Sequence, residues 1–139
     1  MVSFQTDGVK IPDFDISKIS KWLTAVASGY GYQIGDLVYM FCTDEVILKS
    51  NREFLGHDYY TDIITFDYTI GNRVGADILI SLDTVRSNSE QFGVAFDCEL
   101  LRVVVHGVLH LCGFKDKTQE EISGMEEAEN KALALYNEI

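Results

Sequence analysis

Cys98-Glu99-Leu100-Leu101-Arg102-Val103-Val104-Val105-His106-Gly107-Val108-Leu109-His110-Leu111-Cys112 is the most apolar stretch of this chain. Leu100, Leu101, Val103, Val104, Val105, Val108, Leu109 and Leu111 leave almost no polar face. A helix that is apolar nearly all round belongs in the middle of a protein. Residues 98–112 therefore read as a central helix, with Asp97 placed to cap its start and Gly113 to stop it. Two of the three histidines in the chain, His106 and His110, lie on it.

Working outward, the other elements alternate, as layered α and β structure does. Residues 2–4 read as a short edge strand. Residues 16–27 read as a helix with Asp15 at its N-cap, an apolar stripe of Ile16, Ile19, Leu23 and Val26, and Gly29 and Gly31 at its end. Residues 37–42 are a continuous apolar run and read as a buried strand. Residues 45–54 read as a short helix stopped near Gly56. Residues 63–68 and 74–81 read as strands, and Gly71-Asn72 between them suits a tight hairpin turn, so the two are expected to be antiparallel neighbours. Residues 82–92 read as a helix followed by Gly93. Thr118-Gln119-Glu120-Glu121 has the form of a capping box and opens a last helix over residues 119–137.

With 139 residues the chain reads as one domain, long enough to bury a core without disulfides. It is 47% hydrophobic and 24% charged, ordinary for a globular protein. No apolar run approaches the ~18 residues of a membrane span, so no membrane partner is expected. The start has neither a basic segment nor a small-residue cleavage site, which reads as cytoplasmic. Cys42, Cys98 and Cys112 are odd in number and form no CxxC pair. All three read as small buried hydrophobes rather than a disulfide framework. The net charge of −11 argues against a broad, sequence-independent grip on nucleic acid. Much of the acid is crowded into Glu120, Glu121, Glu126, Glu127 and Glu129, read as a solvated helix face. The rest of the chain is nearer neutral, which leaves room for a local basic groove.

Four residues turn a helix through ~400° and climb ~6 Å, so His106 and His110 project from one face and can share a metal ion. Two core histidines, each bonded to a carbonyl, would satisfy the same spacing. Two features weigh toward a metal. Buried imidazoles in an apolar helix need a partner, since each unsatisfied group costs about 1–3 kcal/mol. Gly113 then lets the chain fold back and offer Asp116, in the way extended zincin-type sites gather a third ligand after a glycine turn. Three protein donors leave one position open for water. Peptidases of the HExxH type carry a glutamate at the second position, whereas this chain has Gly107, so the site reads as hydrolytic without the peptidase base.

The block His106-Gly107-Val108-Leu109-His110-Leu111-Cys112-Gly113-Phe114 resembles the HGxLHLxG-aromatic signature of the YbeY family. Thr61-Asp62-Ile63-Ile64-Thr65-Phe66 is similar to the family's TD(V/I)LSF segment. Ala76-Asp77-Ile78-Leu79-Ile80 is similar to its GDI strand, and Asn51 and Phe54 stand where the family has an asparagine and an aromatic. The likeness runs from about Asp36 to the C-terminus. It implies an α+β fold: a single domain over residues 1–139, a mixed four-stranded sheet with surrounding helices, and a central metal-binding helix beside a cleft. It implies a metal-dependent endoribonuclease that cleaves single-stranded RNA, with ribosomal RNA precursor or the ribosome as partner and no DNA expected.

Two departures stand out. Most members have a third histidine where this chain has Asp116. A carboxylate can replace it, with zinc the first choice of ion and manganese or magnesium, harder ions, also suited. Most members carry an arginine after the aromatic, thought to help bind phosphate, where this chain has Leu55. Arg52 and His57 are the nearby candidates to replace it. Asp62 either accepts a hydrogen bond from a ligand imidazole or caps a turn. Asp77 reads as structural and Thr61 as a backbone-bonding turn residue. Two other functions remain open: a non-catalytic ribosome assembly factor with a structural metal, and a metallohydrolase of another substrate.

Overall fold

The computed structural model describes residues 1–56 and 61–139. Along them the elements run β1 (Val2–Asp7), α1 (Ile16–Gly29), β2 (Gln33–Cys42), α2 (Asp44–Leu55), β3 (Ile63–Asp67), β4 (Arg73–Ser81), α3 (Leu82–Phe92), α4 (Phe96–Leu111) and α5 (Gln119–Glu138). The strands form one mixed sheet in the order β1-β2-β4-β3. β1 and β4 flank β2 in parallel, and β3 closes the other edge antiparallel to β4. The expected hairpin is present: Ile70 and Arg73 bridge across a turn in which Gly71 takes a φ of +59°.

Alternation along the strands sorts the side chains onto two faces. Leu37, Tyr39 and Phe41 of β2 and Val74, Ala76, Ile78 and Ile80 of β4 join Ile19, Trp22 and Leu23 of α1 and the valines of α4 in the main core. Leu79 and Ile64 turn the other way and pack with Cys42 against Ile47 of α2. α4 is central, as its composition requires. Val104, Val105, Val108 and Leu109 are fully buried, and the Tyr39 hydroxyl donates to the Val104 carbonyl at 2.8 Å. α5 lies behind α4 and opens with the expected capping box, Thr118 Oγ1 accepting from Glu121 N and Glu121 Oε1 from Thr118 N. Asp15 caps α1 by accepting from Lys18 N at 3.0 Å. No helix among the described residues is long and apolar enough to cross a membrane.

Two expectations need correction. Asp97 does not cap α4. The cap is Ala95, which makes no side-chain bond, and Asp97 sits in the first turn. Starting the helix at Phe96 packs that ring against the core, with the Arg86 guanidinium 4.5 Å above it, while Asp97 still faces the positive end of the helix dipole. Cys98 is exposed, because it falls on the solvent side of that first turn. Cys42 and Cys112 are buried as expected.

Candidate active site

The site begins where α4 ends. Gly113 N bonds the His110 carbonyl, and Phe114 N reaches the Leu109 carbonyl, both at 3.1 Å. This is a Schellman stop, with Gly113 at a φ of +99° where a side chain would be strained. The reversal lays Phe114 edge-on against Tyr30 at 5.0 Å and returns Asp116 to the helix it has just left. His106 Nε2 and Asp116 Oδ2 stand 3.5 Å apart. They share a cavity of about 250 Å³ with His110, Asn51 and Leu55 of α2, and Thr61.

His106 is held from behind. Its Nδ1 lies 2.7 Å from Glu129 Oε2 on α5. Glu129 Oε1 accepts from Arg102 Nη1 at 2.9 Å, and Arg102 Nη2 also reaches Asn130 Oδ1 at 3.3 Å. Glu129 is therefore no part of a solvated acidic face; its residue is only 6% exposed. It falls on the inner stripe of α5 with Met125 and Ala132, four residues before and three after, and that helical spacing could have revealed it. His110 also departs from expectation. It is exposed, while His106 is half-buried and carries its own partner, so the pair is not two core imidazoles needing one shared acceptor.

Burial alone would push the His106 imidazolium pKa down. The hydrogen bond and charge of Glu129, with the charges of Asp116 and Asp62, outweigh it and leave the value raised. Burial raises the Asp62 carboxyl, although the His106 charge, the Ile63 backbone N–H and the Thr61 hydroxyl pull the other way. Burial likewise raises Glu99 in spite of Arg102. Asp62, Glu99, Arg102 and Glu129 line a second hollow of about 400 Å³, which adjoins the first and shares Thr61, His106 and Asp116 with it.

The other singled-out residues fall into place unevenly. Asp62 is beside His106, but the Nδ1 bond belongs to Glu129, and the Asp62 carboxyl bonds its local turn. Thr61 donates to the Ile63 carbonyl at 3.4 Å, a turn bond as read. Asp77 is exposed and accepts from the Tyr68 hydroxyl at 3.2 Å, consistent with a structural part. Leu55 borders the cavity where the resemblance led one to look for an arginine; Arg52 is on α2 but does not line it. His57 lies outside the described residues. Gly107 faces the sheet: a Cβ there would stand 3.0 Å from Ile78 Cδ1 and 3.3 Å from Ile63 Cδ1. A glutamate at that position would point into the core.

The donor types fit a divalent ion. When the His106 ring is neutral, Glu129 accepts its Nδ1 proton, so Nε2 carries a lone pair and faces the Asp116 carboxyl oxygen at 3.5 Å. Two such acceptors repel unless a cation or a proton lies between them. As the side chains stand, no three His, Cys, Asp or Glu donors among the described residues converge closely enough to hold an ion.

The sequence profile of the endoribonuclease YbeY family matches residues 1–137. A Bacteroides thetaiotaomicron protein named endoribonuclease YbeY is 57% identical over 134 residues, covering 96% of this chain and 98% of its own length. One of the same name from Phocaeicola vulgatus is 56% identical over 137 residues, covering 99% of both. A solution structure of a Thermotoga maritima protein shares the fold, with a TM-score of 0.69 at 22% identity, covering 99% of this chain and 93% of that one. With residues 1–137 matched by the profile and 96% and 99% of the chain covered by these relatives, the chain belongs to the endoribonuclease YbeY family.

Proposed function

We propose that this protein is a metal-dependent endoribonuclease that cleaves single-stranded RNA in ribosomal RNA maturation, with His106, His110 and Asp116 as the residues that hold the ion. The observation that supports the metal is the meeting of His106 Nε2 and Asp116 Oδ2 at 3.5 Å, two donor atoms of ligand type on the cavity that His110 also borders. Zinc suits this donor set best, and manganese or magnesium would tolerate the carboxylate. Bound there, a divalent ion supplies Lewis acidity toward a phosphoryl oxygen and makes water a nucleophile near neutral pH.

The chain's own residues do the rest. Glu129 orients His106, and Leu55 and the isoleucines of β3 give the cavity an apolar wall. Phe54, 67% exposed and edge-on to Phe66 at 5.9 Å, precedes Leu55 on α2. Exposed aromatics take unpaired bases by stacking, worth about 1–3 kcal/mol per base. That is a grip on single strands which needs little positive charge, and it suits a chain of net charge −11.

The test is metal content by mass spectrometry on untagged protein, beside His110→Ala and the His106→Ala/His110→Ala double variant, followed by cleavage of end-labelled single-stranded and duplex RNA. About one equivalent of metal in the wild type, none in the double variant, and cleavage confined to single strands are expected. His110→Ala should stay folded, because His110 is exposed. Stoichiometric metal in the double variant would overturn the ligand assignment. Ribosome co-sedimentation without cleavage under zinc, manganese or magnesium would favour the assembly factor instead.

A further inference from the structure

Glu129 does more than fill a buried corner. A neutral imidazole carries one N–H, and both ring nitrogens face a carboxylate that only accepts; Glu129 Oε2 at 2.7 Å is a hydrogen bond whereas Asp116 Oδ2 stands off at 3.5 Å, so the proton belongs on His106 Nδ1 and Nε2 keeps its lone pair toward the cavity. The carboxylate is itself fixed, since its other oxygen receives Arg102 Nη1 at 2.9 Å. Arg102 is further steadied by Asn130 at 3.3 Å and by Glu99, whose Oε1 lies 3.7 Å from Nε. Arg102 is a donor only and cannot lose its charge. The chain of contacts therefore runs in one direction, from the guanidinium through the carboxylate to the ring.

We propose that Glu129 is a positioning residue that sets the tautomer of His106, and that Arg102 fixes the orientation of the Glu129 side chain by requiring an oxygen on its side. The consequence for metal rests on His106 being a ligand; the tautomer itself does not. An amide makes the distinction sharp. In Glu129→Gln the side chain keeps its shape but has only one oxygen. Arg102 claims that oxygen, so the NH2 faces His106 Nδ1 and donates to it. The ring must then carry its proton on Nε2, where a ligand lone pair is needed. In a Ser-His-Asp triad, replacing the carboxylate behind the histidine by its amide leaves the geometry intact and selects the wrong tautomer. Removing the arginine as well frees the amide to turn its oxygen back to Nδ1.

The experiment reads the His106 tautomer from imidazole 15N shifts in metal-free protein at about pH 9, above the ordinary histidine range, and zinc affinity by competition with a chromophoric chelator. Wild type should show the proton on Nδ1. Glu129→Gln should move it to Nε2 with circular dichroism unchanged, and should weaken zinc binding about ten- to a hundredfold, the usual effect of losing a ligand's outer partner. Arg102→Met in the Glu129→Gln background should return the proton to Nδ1 and recover most of the affinity. A wild-type ring protonated on Nε2, or a Glu129→Gln ring that stays on Nδ1, would overturn the proposal. A tautomer that moves as stated in protein that binds no zinc in any form would uphold the positioning of His106 while sinking its assignment as a metal ligand.

Discussion

The indole N–H of Trp22 donates to the Ala132 carbonyl at 2.7 Å, joining α1 to α5 across 110 residues of sequence. Trp22 is fully buried, and its ring meets Tyr136 edge-on at 5.0 Å. Ala132 is three residues after Glu129, so this bond fixes the turn of α5 that presses the carboxylate against His106. Trp22→Phe removes the donor and leaves a gap. Urea unfolding should show a loss of about 1–3 kcal/mol. A loss below about 0.5 kcal/mol, the range of an unremarkable surface change, would mean that α5 is held elsewhere.

Gly107 is where α4 comes closest to the sheet, since an added Cβ would already crowd Ile78 and Ile63. Alanine gains roughly 1 kcal/mol in helix propensity against that crowding, so Gly107→Ala should stay within about 1 kcal/mol of wild type. Gly107→Val should cost about 1–3 kcal/mol by overpacking. Gly107→Glu, which completes an HExxH pattern in sequence, should yield little folded protein, because the new carboxylate is buried unpaired. Thermal unfolding of the three variants checks the order; a stable Gly107→Glu protein would mean that this face of α4 is open.

Stability and metal binding should respond to pH in opposite directions. His106 is raised above the ordinary histidine value, so the stability it contributes to the metal-free protein is fully present below that value and is lost as pH rises through the folded one. Asp62 and Glu99 are raised as well, with the same sign in the carboxylate range. Metal-free protein should therefore melt higher at about pH 6 than at about pH 8, the interval around the ordinary histidine value. Zinc needs a neutral imidazole, so the rise in Tm on adding zinc should shrink as pH falls from about 8 to about 6. Calorimetry with and without zinc gives both slopes, and a zinc effect that grows toward acid pH would contradict histidine ligation.

The three thiols should react unequally. Cys98 is exposed, whereas burial pushes the Cys42 thiol up to about 12, with Asp7, Asp44 and Asp83 adding to it, and the Cys112 thiol up to about 11. A thiolate is the reactive form. Native protein should release one equivalent of chromophore rapidly from a disulfide reagent and the remainder only on unfolding, with Cys98→Ser abolishing the rapid phase.

Most of the fold was legible in the chain. The all-round apolar helix, the Gly71 hairpin, the Thr118 capping box and the Gly113 stop each depend on residues a few positions apart, whose conformational preferences act locally. The Asp97 cap was misplaced for the same local reason: an acidic residue before an apolar run suits both a cap and a first turn, and only the packing of Phe96 distinguishes them.

By itself the sequence determined the elements and put His106 and His110 one turn apart on α4, because helix geometry follows from spacing alone. The tertiary structure decided what surrounds them. It exposed His110, turned Gly107 to the sheet, and drew Glu129 out of an acidic run to stand behind His106, with Arg102 behind it in turn. Glu129 lies 23 residues beyond His106 on another helix. Its spacing from Met125 and Ala132 marks the inner face of α5, but only the packing of α5 against α4 supplies the partners that make burying that charge tolerable.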